Sequence, residues 1–256
     1  MPAAPTGDVH QTTQDTPRTR PPLLPRESSP WLAIIPLLAT ALFYTLPSDA
    51  QASRVVQFLP QVLGYLALFA WASRNKSVLL RLGLSWTIFR SSIATGSIVG
   101  QILGLLNTVV ILWLVPYLGG DIGFLRETPH AQIPVLAMVP WFILGIAVFV
   151  EVNFRGFQLG RLISLATSTE PHQADEPSTS RFPPLGVACA IALSAVAFAF
   201  DPFLVATFRH LHWIAIWDGV VWGWFLWRRR DLALTIVAHA VEVIVLYLVV
   251  RTALGA

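Results

Sequence analysis

QIPVLAMVPWFILGIAVFVE is the sequence of residues 132–151, and its one charged residue is the last, Glu151. A helix that crosses the hydrocarbon core of a bilayer needs about 20 mostly apolar residues, and this stretch meets that requirement. Other stretches that meet it, or nearly do, cover residues 31–47, 55–73, 91–117, 184–207, 211–228 and 232–250. The sequence therefore predicts an all-α fold, a polytopic transmembrane helical bundle of about seven spans.

The composition agrees with a multi-pass integral membrane protein that lies in the lipid bilayer. Of the 256 residues, 55% are hydrophobic and 12% are charged, whereas about a quarter of the residues in soluble domains are charged. The formal net charge of +3 is too small to indicate a nucleic-acid partner. The single cysteine, Cys189, excludes an intrachain disulfide and a metal site built from cysteines.

Lysine and arginine alternate along the loops between the predicted spans. They are frequent in the N-terminal tail and in residues 74–90, 152–183 and 228–231, and sparse in the loops between these. Because cytoplasmic loops accumulate positive residues, this alternation predicts a cytoplasmic N-terminus and an external C-terminus. The dipeptide Asp201-Pro202 interrupts the fifth predicted span and is expected to break or kink it.

The tail and one loop differ in composition from the rest of the chain. Residues 1–30 are rich in Pro, Thr, Ser and Arg without apolar periodicity, which predicts a disordered cytoplasmic tail. Residues 31–256 are predicted to form a single transmembrane domain. Within it, the polar and Pro/Ser-rich residues 167–183 are predicted to be a flexible cytoplasmic loop. The basic, amphipathic residues 74–90 are suited to the surface of the inner leaflet.

Ionisable residues inside the spans are the functional candidates, because a charge at bilayer depth is costly in free energy. Those within the spans are Glu151, Asp201, Asp218, His239 and Glu242. Two histidines, His210 and His212, lie at the outer end of the sixth span. Arg155 follows Glu151 by four positions and therefore shares its helix face. The alternative for this pair is an interfacial ion pair, and for His239 it is a neutral, hydrogen-bonded ring. For His210 and His212 the alternative is an interfacial polar role.

The segment VEVNFRGFQLGRL, residues 150–162, carries a glutamate and an arginine four positions apart, Glu151 and Arg155. It resembles the first signature, Glu-Glu-x-x-x-Arg, of the CAAX-protease and bacteriocin-processing family of intramembrane endopeptidases. In this comparison Glu151 matches the second glutamate and Arg155 matches the arginine. Val150 occupies the position of the first glutamate, which is the principal water-activating base of that family.

A second segment, from Gly219-x-x-x-Gly223 to His239, is similar to the part of that family in which a Gly-rich helix leads through a short turn to a His-x-x-x-Asn helix. His239 matches the histidine of this signature. The position four residues later is Val243, where the family has Asn or Asp. Glu242 lies on nearly the same helix face and is the substitute that the sequence offers.

Two places compete for the middle signature of the family, Phe-x-x-x-His. Residues 208–212 satisfy it literally and end on His212. Residues 194–202 are more similar to the family's helix at this signature, but a proline stands at the histidine position there, next to Asp201. For His212 to meet the glutamate of the first signature, residues 200–213 have to turn back into the membrane.

The resemblance covers residues 149–243 and implies a protease-like core. Its implied activity is that of a glutamic-type or metallo-type endopeptidase that hydrolyses a peptide bond in a membrane-anchored peptide or protein, in the bacterial inner (cytoplasmic) membrane. The resulting catalytic candidates are Glu151, Arg155, His212, His239 and Glu242, and the alternative or supporting candidates are His210, Asp201 and Asp218. As a cofactor, zinc could be held by His212, His239 and Glu242, with one position open for water.

Two other functions are consistent with the same residues. Val150 and Val243, which replace two signature residues, favour a catalytically inactive homologue that acts as a membrane binding, immunity or assembly factor. The other is a cation pathway through Asp218, His239 and Glu242. The sequence has no strong internal repeat of the kind from which many transporters are built, which disfavours the cation pathway.

Overall fold

The computed structural model describes residues 27–85, 89–167 and 183–255, apart from the side chains of Pro129 and His130. Within these residues every regular element is helical, which confirms the predicted all-α class. Residues 1–26 of the predicted tail and residues 168–182 of the predicted loop lie outside the described residues.

The described residues contain eight main helices. In chain order they are α1 (Pro30–Phe43), α2 (Arg54–Ala72), α3 (Phe89–Tyr117), α4 (Val135–Thr167), α5 (Leu185–Ala199), α6 (Pro202–Leu211), α7 (Ile214–Arg229) and α8 (Leu232–Leu254). Short helical turns in the connections cover Ser48–Ala52, Val78–Arg81, Gly123–Glu127 and Pro129–Gln132.

Among the described residues, 4 helices are long and apolar enough to cross a membrane, namely α2, α3, α4 and α8. Helices α5 and α6 pass the same test only as one bent pair. Large apolar side chains cover the outside, as at Leu136 and Phe69, which are 90% and 75% exposed, and such a surface favours lipid over water. These features are those of an integral membrane protein. Because α7 has only 16 residues and α1 is also short, seven spans and a cytoplasmic N-terminus stay predictions.

The predicted break at Asp201-Pro202 is confirmed. Helices α5 and α6 meet there at a bend of 54°. Proline cannot donate the hydrogen bond that would continue α5, and it is well suited to the first turn of a new helix. Asp201 caps that new helix, because its Oδ1 accepts hydrogen bonds from the backbone N–H groups of Phe203 (3.1 Å) and Leu204 (3.2 Å).

Helices α3 and α8 pack closely along three glycines of α3. A Cβ atom added to Gly96 would lie 2.8 Å from the carbonyl oxygen of Leu234, and one added to Gly104 would lie 2.9 Å from Val245 Cβ. At Gly100 the added atom would overlap the carbonyl oxygen of Ala238. Small residues at such positions let two membrane helices approach backbone to backbone. This glycine stripe, which consists of Gly96, Gly100 and Gly104, therefore sets the position of α8.

The start of α8 is fixed by Asp231. Its Oδ1 accepts a hydrogen bond from the backbone N–H of Leu234 (3.1 Å), which caps the helix. Its Oδ2 accepts a hydrogen bond from Ser92 Oγ on α3 (2.6 Å). One apolar cluster contains Leu232 at the start of α8, and another packs against Leu246 nearer its end. The polar residues His239 and Glu242 lie between these two positions along the helix.

Candidate functional site

The first site residues stand on an unusually wound part of α4. This helix is π-helical over Trp141–Val150 and again over Val152–Leu159, with Glu151 between the two segments. π-Helical turns are rare and are frequently found at functional sites. All residues from 153 to 159 are buried, so this part of α4 is enclosed by other helices. Glu151 and Arg155 are accordingly 0% and 1% exposed.

His239 on α8 meets Glu151 on α4, although the two residues are 88 positions apart in the chain. Nδ1 of His239 lies 2.9 Å from Oε1 of Glu151, which is a hydrogen-bonding distance. When the carboxylate accepts the hydrogen on Nδ1, Nε2 becomes the ring nitrogen that can take up a proton. The two segments that resemble family signatures, residues 150–162 and 219–239, thus contact each other through Glu151 and His239.

Arg155 contacts the same carboxylate oxygen as His239. Its Nη1 is 3.7 Å from Glu151 Oε1, an ion pair without a hydrogen bond. The guanidinium carbon lies 4.2 Å from the ring centroid of Phe198 and 5.0 Å from that of Trp222. Gly219 leaves space for it, since a Cβ atom there would lie 3.1 Å from Arg155 Nη2. Favourable cation–π contacts therefore hold this buried cation in place.

Two aromatic rings fix the orientation of the His239 ring. The indole of Trp222 stacks on it, with the ring centroids 4.3 Å apart and the planes inclined by 25°. Phe198 approaches edge-on, with the centroids 6.0 Å apart. Because the hydrogen bond to Glu151 and these contacts act together, the imidazole is oriented before any ligand binds.

A second polar group is centred on Asn107 of α3, which is 0% exposed. Its Nδ2 donates to Glu242 Oε1 (2.7 Å) and to both carboxylate oxygens of Asp218 (3.0 and 3.2 Å). Its Oδ1 accepts from Nε1 of Trp217 (2.9 Å). The carboxyl groups of Asp218 and Glu242 therefore lie close together, around one amide group.

Both polar groups border one cavity of about 230 Å³. Its polar lining comes mostly from the predicted candidates and from two amides: Gln61, Asn107, Asp201, His212, Asp218, His239 and Glu242. The remaining wall is mainly apolar and includes Phe198, Val150 and Val243. The cavity is therefore large enough for part of an apolar ligand, with the polar groups gathered along it.

The contacts shown for the predicted histidines of the middle signature are with residues other than Glu151 and His239. His212 lines the cavity, but its Nδ1 lies 2.5 Å from the backbone oxygen of Arg209, and its ring packs edge-on against Phe200 at 5.0 Å. His210 is exposed and contacts Phe124, with ring centroids 5.4 Å apart. Asp201, the other candidate for this signature, lines the cavity and accepts a hydrogen bond from Gln61 Nε2 (3.0 Å).

The predicted zinc ligands do not form a metal-binding group. Among the residues that the structure describes, no three His, Cys, Asp or Glu side chains are placed to hold a metal ion together. Glu242 is bound to Asn107, and His239 is bound to Glu151 through Nδ1. The geometry of the described side chains therefore does not fit zinc bound by His212, His239 and Glu242.

Several buried polar atoms around His239 make no hydrogen bond to any described residue. They are Glu151 Oε2, Arg155 Nη1 and Nη2, Trp222 Nε1 and Glu242 Oε2. A buried donor or acceptor without a partner costs about 1–3 kcal/mol, so such atoms are rare in native proteins. Of these residues, Trp222 and Glu242 line the cavity, so a donor and a carboxyl oxygen without described partners lie at its wall.

Sequence reasoning missed Asn107 and Trp222. Asn107 is an uncharged amide within an apolar span, and a search for charges passes over it. A polar side chain in the middle of a span is nevertheless a detectable signal, because an amide in hydrocarbon needs hydrogen-bond partners. Trp222 is hidden among other tryptophans of α7, and only the packing shows that it stacks on His239.

Comparison with known proteins adds no relative. No protein-family model, no curated protein and no solved structure matches the chain significantly.

Proposed function

We propose that this protein is an intramembrane endopeptidase, as the resemblance to the CAAX-protease and bacteriocin-processing family implies. Its substrate is a membrane-anchored peptide or protein in the bacterial inner membrane. The observation that carries the proposal is the 2.9 Å contact between Glu151 Oε1 and His239 Nδ1 beside a cavity. These two residues were selected from separate signatures of the sequence, and their contact is what a shared catalytic role requires.

In the proposed reaction, His239 is the general base. Glu151 accepts the hydrogen on Nδ1 and stabilises the imidazolium that forms, while Arg155 stabilises the negative charge of Glu151. A water molecule gives a proton to His239 Nε2 as its oxygen bonds to the carbonyl carbon of the substrate. The proton then passes to the amide nitrogen, the C–N bond breaks, and a carboxylic acid and an amine are released.

Glu242 is the proposed stabiliser of the oxyanion. It lines the cavity, and its Oε2 makes no hydrogen bond to a described residue. When Glu242 is protonated on Oε2, this oxygen can donate a hydrogen bond to the negatively charged oxygen of the tetrahedral intermediate. In the family, the carbonyl is polarised by the asparagine at the position of Val243. Glu242 performs this role from the neighbouring position in the proposed mechanism.

A comparison of protein N-termini tests the proposal and does not require an identified substrate. Membrane fractions from cells that produce the wild-type protein or His239→Ala are compared by mass spectrometry of N-terminal peptides. We expect one or more N-termini that are present with the wild-type protein and lost with His239→Ala. His210→Ala, which removes an exposed histidine, is the matched control and should retain them. Identical N-termini with the wild-type protein and His239→Ala would contradict the proposal.

A second candidate function is that of a non-catalytic binding protein, such as an immunity or assembly factor. Val150 and Val243, which stand where the family has signature residues, both line the cavity and make its wall more apolar. Such a protein would bind a partner without cleaving it. Under this hypothesis, the His239→Ala variant complements cells that lack the protein and returns them to the wild-type phenotype. An endopeptidase without its general base cannot do so.

A further inference from the structure

A second cavity, of about 330 Å³, lies at the end of the bundle where α4 ends and α7 turns into α8. Its lining includes three arginines from three different segments, Arg81, Arg161 and Arg230. The acidic residue in its lining is Glu27, which immediately precedes α1. This cavity is separate from the Glu151–His239 site and has a different chemical character, because its charged lining is predominantly basic.

Arg161 is the central residue of this cavity and is only 4% exposed. Its guanidinium carbon lies 4.2 Å from the ring centroid of Trp71, and its Nη2 donates to the backbone oxygen of Arg81 (3.0 Å). Nη1 of Arg161 makes no hydrogen bond to a described residue. The guanidinium is therefore held in a fixed orientation with one donor nitrogen still available.

Glu27 occupies part of the cavity as an internal anion. Its Oε1 forms an ion pair with Arg161 Nε and accepts a hydrogen bond from Trp71 Nε1 (2.7 Å). Arg161 also interacts electrostatically with Arg81 and Arg230, which shows that the three cations lie near one another. Among the described residues that line the cavity, one carboxylate and three guanidinium groups are charged, so the described lining is predominantly basic.

A buried cation needs an anionic partner, and a guanidinium presents its donors in the planar arrangement that phosphate oxygens match. Arginines converging from several segments can bind one phosphate through more than one oxygen. Basic pockets between membrane helices are also known to bind the headgroups of anionic lipids. The predicted topology puts all three arginines on the cytoplasmic side, at the level of lipid headgroups.

We propose that this cavity binds a phosphate group, and that Glu27 is the internal competitor that such a ligand displaces from Arg161. The expected source of the phosphate is the headgroup of an anionic phospholipid. Free phosphate has the same chemistry and is the alternative source.

The test uses the full-length protein purified in a neutral detergent at constant ionic strength. Thermal unfolding is followed while dihexanoyl phosphatidylglycerol, dihexanoyl phosphatidylcholine or inorganic phosphate is added. A ligand that binds only the folded state raises Tm in a saturable way. We expect such a rise with phosphatidylglycerol and not with phosphatidylcholine. A saturable rise with inorganic phosphate alone would support the phosphate site and assign it to a free phosphate ligand.

Matched variants connect the binding to this cavity. Arg230→Gln should weaken the apparent Kd about tenfold, which corresponds to about 1.4 kcal/mol. Arg229→Gln removes the same charge from the adjacent position, where the side chain donates to Thr95 Oγ1 (3.2 Å) outside the cavity, and should leave Kd unchanged. Glu27→Gln should tighten binding, because it removes the competing carboxylate.

The outcomes that overturn the proposal are equally defined. One is the absence of a saturable rise in Tm with phosphatidylglycerol and with phosphate. Another is an equal rise with phosphatidylcholine, in which choline neutralises the phosphate, because it would mean that the net negative charge of the headgroup does not determine binding. A third is equal affinity of Arg230→Gln, Arg229→Gln and the wild-type protein, which would place binding elsewhere.

Discussion

At the scale of single residues, the orientation of the His239 ring depends on two neighbours. Glu151 Oε1 lies 2.9 Å from Nδ1, and Trp222 covers one face of the ring. A histidine whose Nδ1 is bound to a carboxylate has a fixed ring orientation and a defined tautomer. Arg155 contributes by neutralising the buried charge of Glu151, since an unpaired carboxylate in this environment would be strongly destabilising.

Asn107 provides a residue-scale prediction, because its amide joins Asp218, Glu242 and Trp217. Replacement by Leu keeps the branched shape with a somewhat larger volume but removes hydrogen bonds from two buried carboxyl groups and from the half-buried indole of Trp217. We expect Asn107→Leu to lower the free energy of unfolding by about 2–5 kcal/mol, as measured by thermal unfolding in detergent. Gln101→Leu, an exposed amide on the same helix, is the control and should change stability little. Equal stability of both variants would show that the Asn107 network is unimportant.

The sequence predicted the charged members of the site and missed those that depend on packing. Glu151, Asp218, His239 and Glu242 could be found because each interrupts an apolar span. Asn107 carries no charge, and its contacts with Asp218 and Glu242 join residues 111 and 135 positions apart. A local sequence pattern cannot predict contacts between residues so far apart in the chain.

At the scale of helices, the position of α8 depends on the glycine stripe of α3. His239 and Glu242 stand on α8, opposite Gly100 and Gly104. Because α8 is also tied to α3 through the Ser92–Asp231 hydrogen bond, the two helices form a unit that carries half of the site. The signature residues of α4 then meet this unit from the other side.

Gly100→Val tests the role of this helix pair. The added side chain would overlap the backbone of α8, so α8 has to shift away from α3. We expect a loss of about 1–3 kcal/mol in stability and a loss of the wild-type N-terminus pattern, because His239 moves relative to Glu151. Ala94→Val, at an exposed position of α3, should retain both. A Gly100→Val protein with normal stability and activity would contradict the proposed packing.

The break between α5 and α6 shows what a dipeptide can predict and what it cannot. Asp201-Pro202 correctly predicted the interruption, because proline ends one helix and Asp caps the next. The dipeptide did not predict where the following histidines lie. His212 contacts Arg209 and Phe200, and His210 contacts Phe124. These contacts depend on the path of the chain after the bend, which the dipeptide does not determine.

At the scale of the whole molecule, the arginines that predicted the topology also converge in space. Arg81, Arg161 and Arg230 come from three predicted cytoplasmic segments and line one cavity. Convergence of these segments at one end of the bundle agrees with the alternation of charge along the sequence. Glu27 belongs to the predicted tail 1–30, but it packs against the bundle through Trp71 and Arg161.

Labelling of introduced cysteines tests the predicted orientation. In a Cys189→Ser background, Ser48→Cys lies in a predicted external loop and Ser73→Cys at a predicted cytoplasmic helix end, and both positions are exposed. A membrane-impermeant maleimide added to intact spheroplasts should label Ser48→Cys, whereas Ser73→Cys should react only after permeabilisation. The reverse pattern would show that the N-terminus is external.

The proposed mechanism makes Glu151 and His239 a single functional unit, and a double-mutant cycle measures this. The rate at which the His239-dependent N-terminus forms is compared for Glu151→Gln, His239→Ala and the double variant, at equal protein levels. Each single substitution should lower the rate by about 100-fold to 10,000-fold. The double variant should be no slower than the slower single variant, because residues that act as one unit are not additive. Wild-type rates in either single variant, or effects that multiply in the double variant, would contradict the Glu151–His239 dyad as the catalytic centre.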